Sequence, residues 1–151
     1  MPTVKPEDVS GFVGKEIGIS DWIEISQERI NQFADVTEDH QFIHTNPEMA
    51  KMTPFGTTIA HGFLTLSMLS KLAENSVVLL DGVKMGVNCG FDKVRMVSPV
   101  KSGKKIRGHF TLMSADEKMP GQWAFKYAVK VEIEGEEKPS LVAEWLSMQF
   151  V

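Results

Sequence analysis

The period of the apolar positions changes partway along the chain. Between residues 61 and 75, apolar side chains recur at helical spacing over more than half of the helix circumference. The polar positions of this segment share one narrow stripe, formed by Ser67, Ser70, Lys71 and Glu74. The pattern predicts one long helix that begins at His61-Gly62 and ends near Asn75, with most of its surface covered by other elements.

After this helix the apolar pattern is typical of strands. Strands are predicted near residues 83–96, 104–116, 121–134 and 139–150. Short turns that contain Pro or Gly separate them, so consecutive strands should pair antiparallel. Gly82, Gly86 and Gly90 recur every four residues, which indicates bulges or close packing against the helix.

The residues before the long helix predict smaller elements. Residues 17–26 favour an edge strand, and Ser26 is predicted to cap a helix over residues 27–36. Asn46-Pro47 should start a short helix whose inward-facing residues are Met49, Ala50 and Met52. Residues 1–16 are predicted to form an arm packed on the body of the protein.

Together these elements predict a single α+β domain over residues 1–151, with an antiparallel sheet wrapped around a long central helix. An open curved sheet has an exposed edge strand, and proteins usually cover or pair such edges. We therefore expect a dimer in which the sheet continues across the interface.

The composition of the chain disfavours some classes of function. The chain has 151 residues, 42% hydrophobic and 24% charged, and a net charge of -4. The net charge disfavours nucleic-acid binding. The N-terminal residues show neither an apolar h-region nor an Arg-rich amphipathic pattern, and no apolar run approaches membrane-spanning length, so we expect a cytoplasmic protein without membrane partners. Cys89 is the only cysteine, which excludes an intrachain disulfide and predicts a buried, unreactive thiol.

Asp39 and His44 are the leading acid/base candidates. A carboxylate and an imidazole five residues apart in one loop could hold and activate a water molecule. The alternative is that Asp39 caps the following turn and His44 is a hydrogen-bonded core residue. Gly62 could present its N–H to a ligand carbonyl at the positive end of the helix, or it could only let the helix start close to a strand.

Other candidate sites have weaker patterns. A metal site formed by Asp39, His40, His44 and His61 lacks a strong ligand spacing such as HExxH, so no metal is predicted. A serine hydrolase site at Ser67 or Ser70 lacks the GxSxG turn. The segment from residue 93 to residue 107 is basic in an acidic protein: Lys93, Arg95, Lys101, Lys104, Lys105 and Arg107. These residues could bind the phosphates of a nucleotide-tailed substrate, or they could form a solvated strand face.

The same residues carry a family resemblance. The matching stretches are Asp39-x4-His44, Asn46-Pro47, Pro54-Phe55-Gly56, Ile59-Ala60-His61-Gly62-Phe63-Leu64-Thr65, Phe91-Asp92-Lys93-Val94-Arg95 and Ser98-Pro99-Val100. They resemble the MaoC-like (R)-specific enoyl-CoA hydratases of hotdog fold, and most of all the branch of nodulation protein N-like hydratases. The resemblance covers about residues 20–150.

The resemblance implies a function and a set of roles. It implies reversible syn hydration of a trans-2-enoyl-CoA to the (R)-3-hydroxyacyl-CoA without a cofactor, in a homodimer or a higher multiple of dimers. Asp39 would take a proton from water, and His44 would orient that water and return a proton to C2. Gly62 N–H would hold the thioester carbonyl, and Ser70 would support the pair. Lys93, Arg95, Lys104 and Lys105 are the candidates for the CoA phosphates.

One departure and two alternatives accompany this hypothesis. The more common family loop reads Asp-x-Asn-Pro-x-His, and here Gln41 and Phe42 replace the Asn and the Pro. An acyl-CoA thioesterase of the same fold would share the Gly62 carbonyl site but aim water at C1. A non-catalytic acyl-binding or partner subunit is the third possibility, although the presence of both Asp39 and His44 speaks against it.

Overall fold

The structure is a computed structural model that describes residues 3–151, and its secondary structure begins with short helices and ends with long strands. A 3-10 helix spans Pro6–Phe12. The α-helices are α1 (Gln27–Thr37), α2 (Phe42–Thr45), α3 (Pro47–Ala50), α4 (Gly62–Ser67) and α5 (Leu69–Ala73). The strands are β1 (Glu16–Ile19), β2 (Ile23–Glu24), β3 (Met85–Met96), β4 (Lys105–Met119), β5 (Gln122–Ile133) and β6 (Leu141–Phe150).

All paired strands form one antiparallel sheet with the order β1-β4-β5-β6-β3, and β2 also pairs with β4. The four long strands confirm the predicted ones to within a few residues at each end. Antiparallel pairing of consecutive strands is found for β4–β5 and β5–β6, but β3 pairs with β6 and not with β4, because β1 and β2 occupy the other edge of β4. The predicted edge strand is present as β1 and β2, which both lie along β4. The α+β fold, with one sheet packed on a central helical segment, is therefore confirmed.

The core lies between the helical segment and one face of the sheet. Leu69 and Leu72 of α5 are almost fully buried in one cluster with Phe110 and Phe125. Each such side chain contributes about 1.5–3 kcal/mol by leaving water. The helix lies close to β4 at Gly108, where an added Cβ would lie 3.2 Å from Cβ of Leu72 and 2.7 Å from the Phe110 ring. A larger residue at position 108 would therefore displace the Phe110 ring and crowd Leu72.

The central helix differs from the prediction in two ways. It is divided at Met68 into α4 and α5, although hydrogen bonds to the residue four positions earlier continue on both sides of the break. The Arg29 guanidinium contacts the Met68 sulfur at 3.2 Å at this point. The predicted polar stripe is exposed, but Phe63 is also 71% exposed, so this chain alone covers less of the helix than the sequence pattern indicated.

Two predictions of burial are wrong. Met49 and Met52 are 51% and 91% exposed, because α3 is only one turn long and turns Ala50 alone toward the core. Cys89 is exposed, because β3 is the edge strand and almost none of its residues are buried. The predicted bulge is confirmed at Gly90, which has φ of 138° where the β3–β6 register shifts.

The N-terminal arm packs on the body over its described part. Val9 of the 3-10 helix is buried, and the Val4 N–H donates to the Leu79 carbonyl at 2.9 Å. Met1 and Pro2, which the predicted arm includes, lie outside the described residues. None of the helices formed by residues 3–151 has the length and apolar character that would cross a bilayer. The cytoplasmic location stays a prediction.

Candidate active site

The loop after α1 is shaped by its backbone. Ser26 caps α1 as predicted, by accepting the Arg29 N–H at 3.1 Å, and the helix ends at Glu38 with φ of 61°. This left-handed residue turns the chain into Asp39. The single turn of α2 then directs His44 inward, and the Gln27 side-chain amide donates to the His44 carbonyl at 2.7 Å. The helices α1 and α2 therefore fix the position of the predicted acid/base loop.

His44 is buried and held in one tautomer. Its side chain is 7% exposed, and Nδ1 lies 2.7 Å from the Ile59 carbonyl oxygen. A carbonyl oxygen only accepts hydrogen bonds, so Nδ1 carries the proton. Burial, and to a smaller extent the neighbouring His61, lower the pKa of His44. At neutral pH the ring is therefore uncharged, and Nε2 offers a lone pair.

Asp39 stands beside this imidazole at the edge of solvent. Its side chain is 52% exposed, and Oδ1 accepts the Gln41 N–H at 3.3 Å. One polar side-chain atom from each of Asp39, His44 and His61 lies within 4.8 Å of the other two. Since hydrogen bonds to water are about 2.8 Å long, one bent water bridge can span such a separation. The structure thus brings Asp39 and His44 together.

His61 is the neighbour whose importance the sequence did not indicate. It is 3% exposed, its Nε2 lies 3.0 Å from the Asp39 backbone oxygen, and its ring stacks on His44 with 3.9 Å between centroids. The sequence presented His61 as a possible metal ligand, as the start of the long helix and as part of the stretch that carries the family resemblance, but not as a partner of Asp39 and His44. The two rings are only 24° from parallel, and stacked imidazoles are not arranged to share the tetrahedral coordination of one ion. His40, the third histidine considered for a metal, instead forms an exposed hydrogen bond with Asp35 at 2.8 Å.

A cavity of about 320 Å³ opens next to His44. Most of its wall is apolar, including Phe55, Ile59 and Val97. Gly62 also lines it, and as the first residue of α4 it has an N–H without an acceptor inside the helix. The Met96 side chain packs on Gly62, since an added Cβ would lie 3.2 Å from the Met96 sulfur. The helix start predicted to hold a carbonyl therefore faces the cavity, partly covered by Met96.

The other predicted site residues lie elsewhere within this chain. Ser70 lines a different hollow, with Trp145 and Asn88, and the Asn88 amide donates to the Ser70 hydroxyl at 3.5 Å. The basic residues are divided: Lys93 and Arg95 lie on β3, whereas Lys104 and Lys105 lie at the start of β4. Strands β5 and β6 separate β3 from β4 in the sheet. The six basic positions do not form one strand face.

Two further residues line the cavity that were not among the predicted site residues. Thr65 and Ser140 are 2% and 5% exposed, and both line the cavity. Thr65 lies three residues after Gly62, so helical geometry places it on the same face of α4. Ser140 precedes β6 and reaches the cavity only because β6 lies beside β3 in the sheet. Helical periodicity could have indicated Thr65, whereas Ser140 depends on the tertiary fold.

The sequence also matches known proteins. The profile described as MaoC like domain matches residues 8–133. A protein named Nodulation protein N, from Rhizobium leguminosarum bv. viciae, is 46% identical over 142 residues, which cover 93% of this chain and 88% of that protein. A protein named 3-hydroxyacyl-thioester dehydratase Z, from Mycobacterium tuberculosis, is 43% identical over 137 residues, which cover 91% of this chain and 90% of that protein.

The fold has a counterpart among solved structures. The (R)-hydratase from A. caviae involved in PHA biosynthesis superposes with a TM-score of 0.71 at 20% sequence identity, over 87% of this chain and 95% of that chain. At this identity the likeness concerns the fold. It supports the hotdog architecture, in which an antiparallel sheet packs on a central helix.

Proposed function

Because the chain belongs to the MaoC-like dehydratase family, we propose that it catalyses the reversible syn hydration of a trans-2-enoyl-CoA to the (R)-3-hydroxyacyl-CoA. The observation that carries the proposal is the approach of Asp39 to His44 beside a cavity that Gly62 also lines. The 43% identity to a protein named 3-hydroxyacyl-thioester dehydratase Z supports the reaction class.

The tautomer of His44 determines which group of the site can accept a proton and which can donate one. Since the neutral ring carries its one proton on Nδ1, against the Ile59 carbonyl, Nε2 can accept a hydrogen bond from water but has no proton to donate. The water would donate one hydrogen to His44 Nε2 and the other to the Asp39 carboxylate. Its oxygen is then free to attack C3 of the enoyl group.

Asp39 would carry the proton in both directions. As the oxygen bonds to C3, the proton of the water passes to Asp39, and the π electrons move onto the thioester as an enolate. The enolate then takes the proton from Asp39 at C2, which restores the carboxylate. Because one group takes and returns the proton, both additions occur on one face, as syn hydration requires. The return of the proton, expected from His44 on the family resemblance, is therefore assigned to Asp39.

Gly62 would stabilise the enolate. Its N–H lies at the start of α4, where the helix dipole is positive, and a preorganised donor of this kind contributes about 2.7–4 kcal/mol to a transition state. The apolar cavity beside it would hold the acyl chain. Lys93, Arg95, Lys104 and Lys105 remain the candidates for the CoA phosphates, with the two strands supplying two separate contacts.

The test is hydration of crotonyl-CoA by the purified chain, followed by the loss of enoyl absorbance. Asp39→Asn should lower kcat by roughly 100-fold or more, since the amide cannot accept the proton. Asp35→Asn is the matched control, because Asp35 is an exposed carboxylate that pairs with His40 outside the site. Hydration at the wild-type rate by Asp39→Asn would contradict the mechanism.

The same preparation separates the two alternatives. A thioesterase would release free thiol from a saturated acyl-CoA, whereas a hydratase leaves the thioester intact. A non-catalytic partner subunit would show neither reaction when purified alone. Rates over a series of enoyl-CoA substrates of four to sixteen carbons would then define the acyl length that the cavity accepts.

We also propose that the active protein is a homodimer formed through β3. This strand ends the sheet, and its residues are almost all exposed, including the apolar Met85, Val87 and Phe91. Phe63, at the start of α4, adds a further exposed aromatic ring. An edge strand with exposed apolar side chains is stabilised by pairing, and a second copy of the chain offers a matching edge.

A further inference from the structure

His61 makes more contacts in the site than its sequence position indicates. We propose that it is a positioning residue, which holds Asp39 and His44 in the arrangement that a single water can bridge. The inference rests on the proposed hydratase function, and it adds to the Asp39, His44 and Gly62 set a third side chain that does not touch the substrate.

The first contact fixes Asp39. His61 Nε2 lies 3.0 Å from the Asp39 backbone oxygen, so Nε2 carries a proton and donates it. The Asp39 carboxylate is half-exposed, and its one recorded side-chain hydrogen bond within residues 3–151 is the 3.3 Å contact from the Gln41 N–H. With its side chain held so weakly, Asp39 depends on its backbone for position, and His61 anchors that backbone from the core.

The second contact fixes His44. The His61 ring stacks on the His44 ring with 3.9 Å between centroids, and Phe33 of α1 packs against His61 at 5.0 Å. His44 is thus bonded at Nδ1 to Ile59 and covered on one ring face by His61. The stack limits rotation of the imidazole, so Nε2 keeps one direction.

The same residue joins the acid/base pair to the carbonyl donor. The His61 carbonyl accepts the Leu64 and Thr65 N–H groups at 3.0 and 3.3 Å, which starts α4 at the adjacent Gly62. The carbonyl of His61 therefore positions the start of α4 at Gly62, and its imidazole positions Asp39 and His44. A shift of this residue would change the distance between the water and the thioester carbonyl.

A structural role alone does not account for histidine at this position. Among residues 3–151, His61 Nδ1 is the one fully buried side-chain nitrogen or oxygen atom that has no hydrogen-bond partner. A buried polar atom without a partner is unfavourable, so phenylalanine would fill the space at lower cost. The Nε2 donor to the Asp39 backbone offsets part of this cost, and we infer that its hold on Asp39 is the role that phenylalanine could not supply.

Two substitutions separate the two contacts. His61→Phe keeps a flat ring that can stack on His44 and removes the donor, whereas His61→Gln keeps an amide N–H near the place of Nε2 and removes the ring. His61→Phe should melt at or above the wild-type temperature and yet lose about 10-fold or more in kcat, with KM changed by less than about twofold. His61→Gln should recover part of this kcat. His40→Phe and His40→Gln are the matched controls, because the His40 side chain is exposed and bonded to Asp35, and their kcat should be unchanged.

The tautomer gives a readout that needs no variant and no activity. Nitrogen chemical shifts of the wild-type protein, labelled in histidine, should show His61 protonated at Nε2 and His44 protonated at Nδ1. Protonation of His61 at Nδ1 alone would overturn the proposal, because the Asp39 contact would then lack its donor.

The outcomes also separate this proposal from the proposed function. Wild-type protein without hydratase activity contradicts the function itself. Wild-type activity together with folded His61→Phe protein of unchanged kcat overturns the positioning role and leaves the function standing.

Discussion

Replacement of Gly62 by alanine tests the carbonyl site with one methyl group. The backbone at Gly62 is helical and α4 begins there, so alanine introduces no strain in φ and is favoured over glycine by up to about 1 kcal/mol. The new Cβ would lie 3.2 Å from the Met96 sulfur and 3.3 Å from the neighbouring Met96 carbons. Met96 is 49% exposed and flexible, and it can yield by a few tenths of an ångström. We therefore expect an unfolding temperature equal to or slightly above that of the wild type.

Activity should fall although the fold is kept. The methyl group and the displaced Met96 side chain would occupy the part of the cavity next to the Gly62 N–H, where the thioester has to lie. Complete loss of one such donor costs about 2.7–4 kcal/mol, which sets the upper limit. Since the amide itself remains, we expect a smaller loss, of about 10-fold to 100-fold in kcat/KM.

The assay is initial-rate hydration of crotonyl-CoA, with thermal unfolding measured on the same samples. Gly11→Ala is the matched control, because no atom lies within 4 Å of a Cβ added there. The double variant Gly62→Ala, Met96→Ala should regain activity relative to Gly62→Ala if crowding is the cause, with Met96→Ala alone as its reference. A folded Gly62→Ala protein with wild-type kcat/KM would refute the placement of the carbonyl at this amide.

Three further changes test other contacts of the structure. Ser26→Ala should lower the free energy of unfolding by about 1 kcal/mol in urea titrations, because it removes the cap of α1, and an unchanged value would refute that cap. Burial lowers the pKa of His44 from its ordinary value of 6.5, so the neutral ring contributes its full stability above that pH and this contribution is lost as the pH falls toward the folded-state pKa. The wild type should therefore lose more free energy of unfolding than His44→Gln between about pH 7 and pH 5. Equal losses in the two proteins would contradict this pH dependence. Phe63→Asp should shift the sedimentation of the protein toward the monomer, whereas Met52→Asp, at a more exposed position in the turn after α3, should leave the dimer intact.

The helices and the long strands could be predicted because their signals lie in residues that are close together in the sequence. Ser26 and Asn46 are cap residues recognisable from residue type, and both accept the helix N–H three residues later. The four long strands follow from period and turn residues. Met49, Met52 and Cys89 were placed wrongly because an apolar residue type does not reveal whether the element that carries it is covered. Edge strands and one-turn helices leave such residues exposed, and sheet order decides which strand is the edge.

The candidate site was also predictable only in part. Asp39 and His44 are near neighbours in sequence, and spacing alone places them in one loop. His61 lies 17 residues after His44, and only the contact of the loop with the start of α4 stacks the two rings. This contact in turn depends on the Ile59 N–H bonding to the Ile43 carbonyl at 3.0 Å, which brings the segment before α4 beside α2. Asp39 and His44 could thus be predicted as a pair because one loop carries both. The role of His61 could not be predicted, because it depends on a tertiary hydrogen bond between two separate segments.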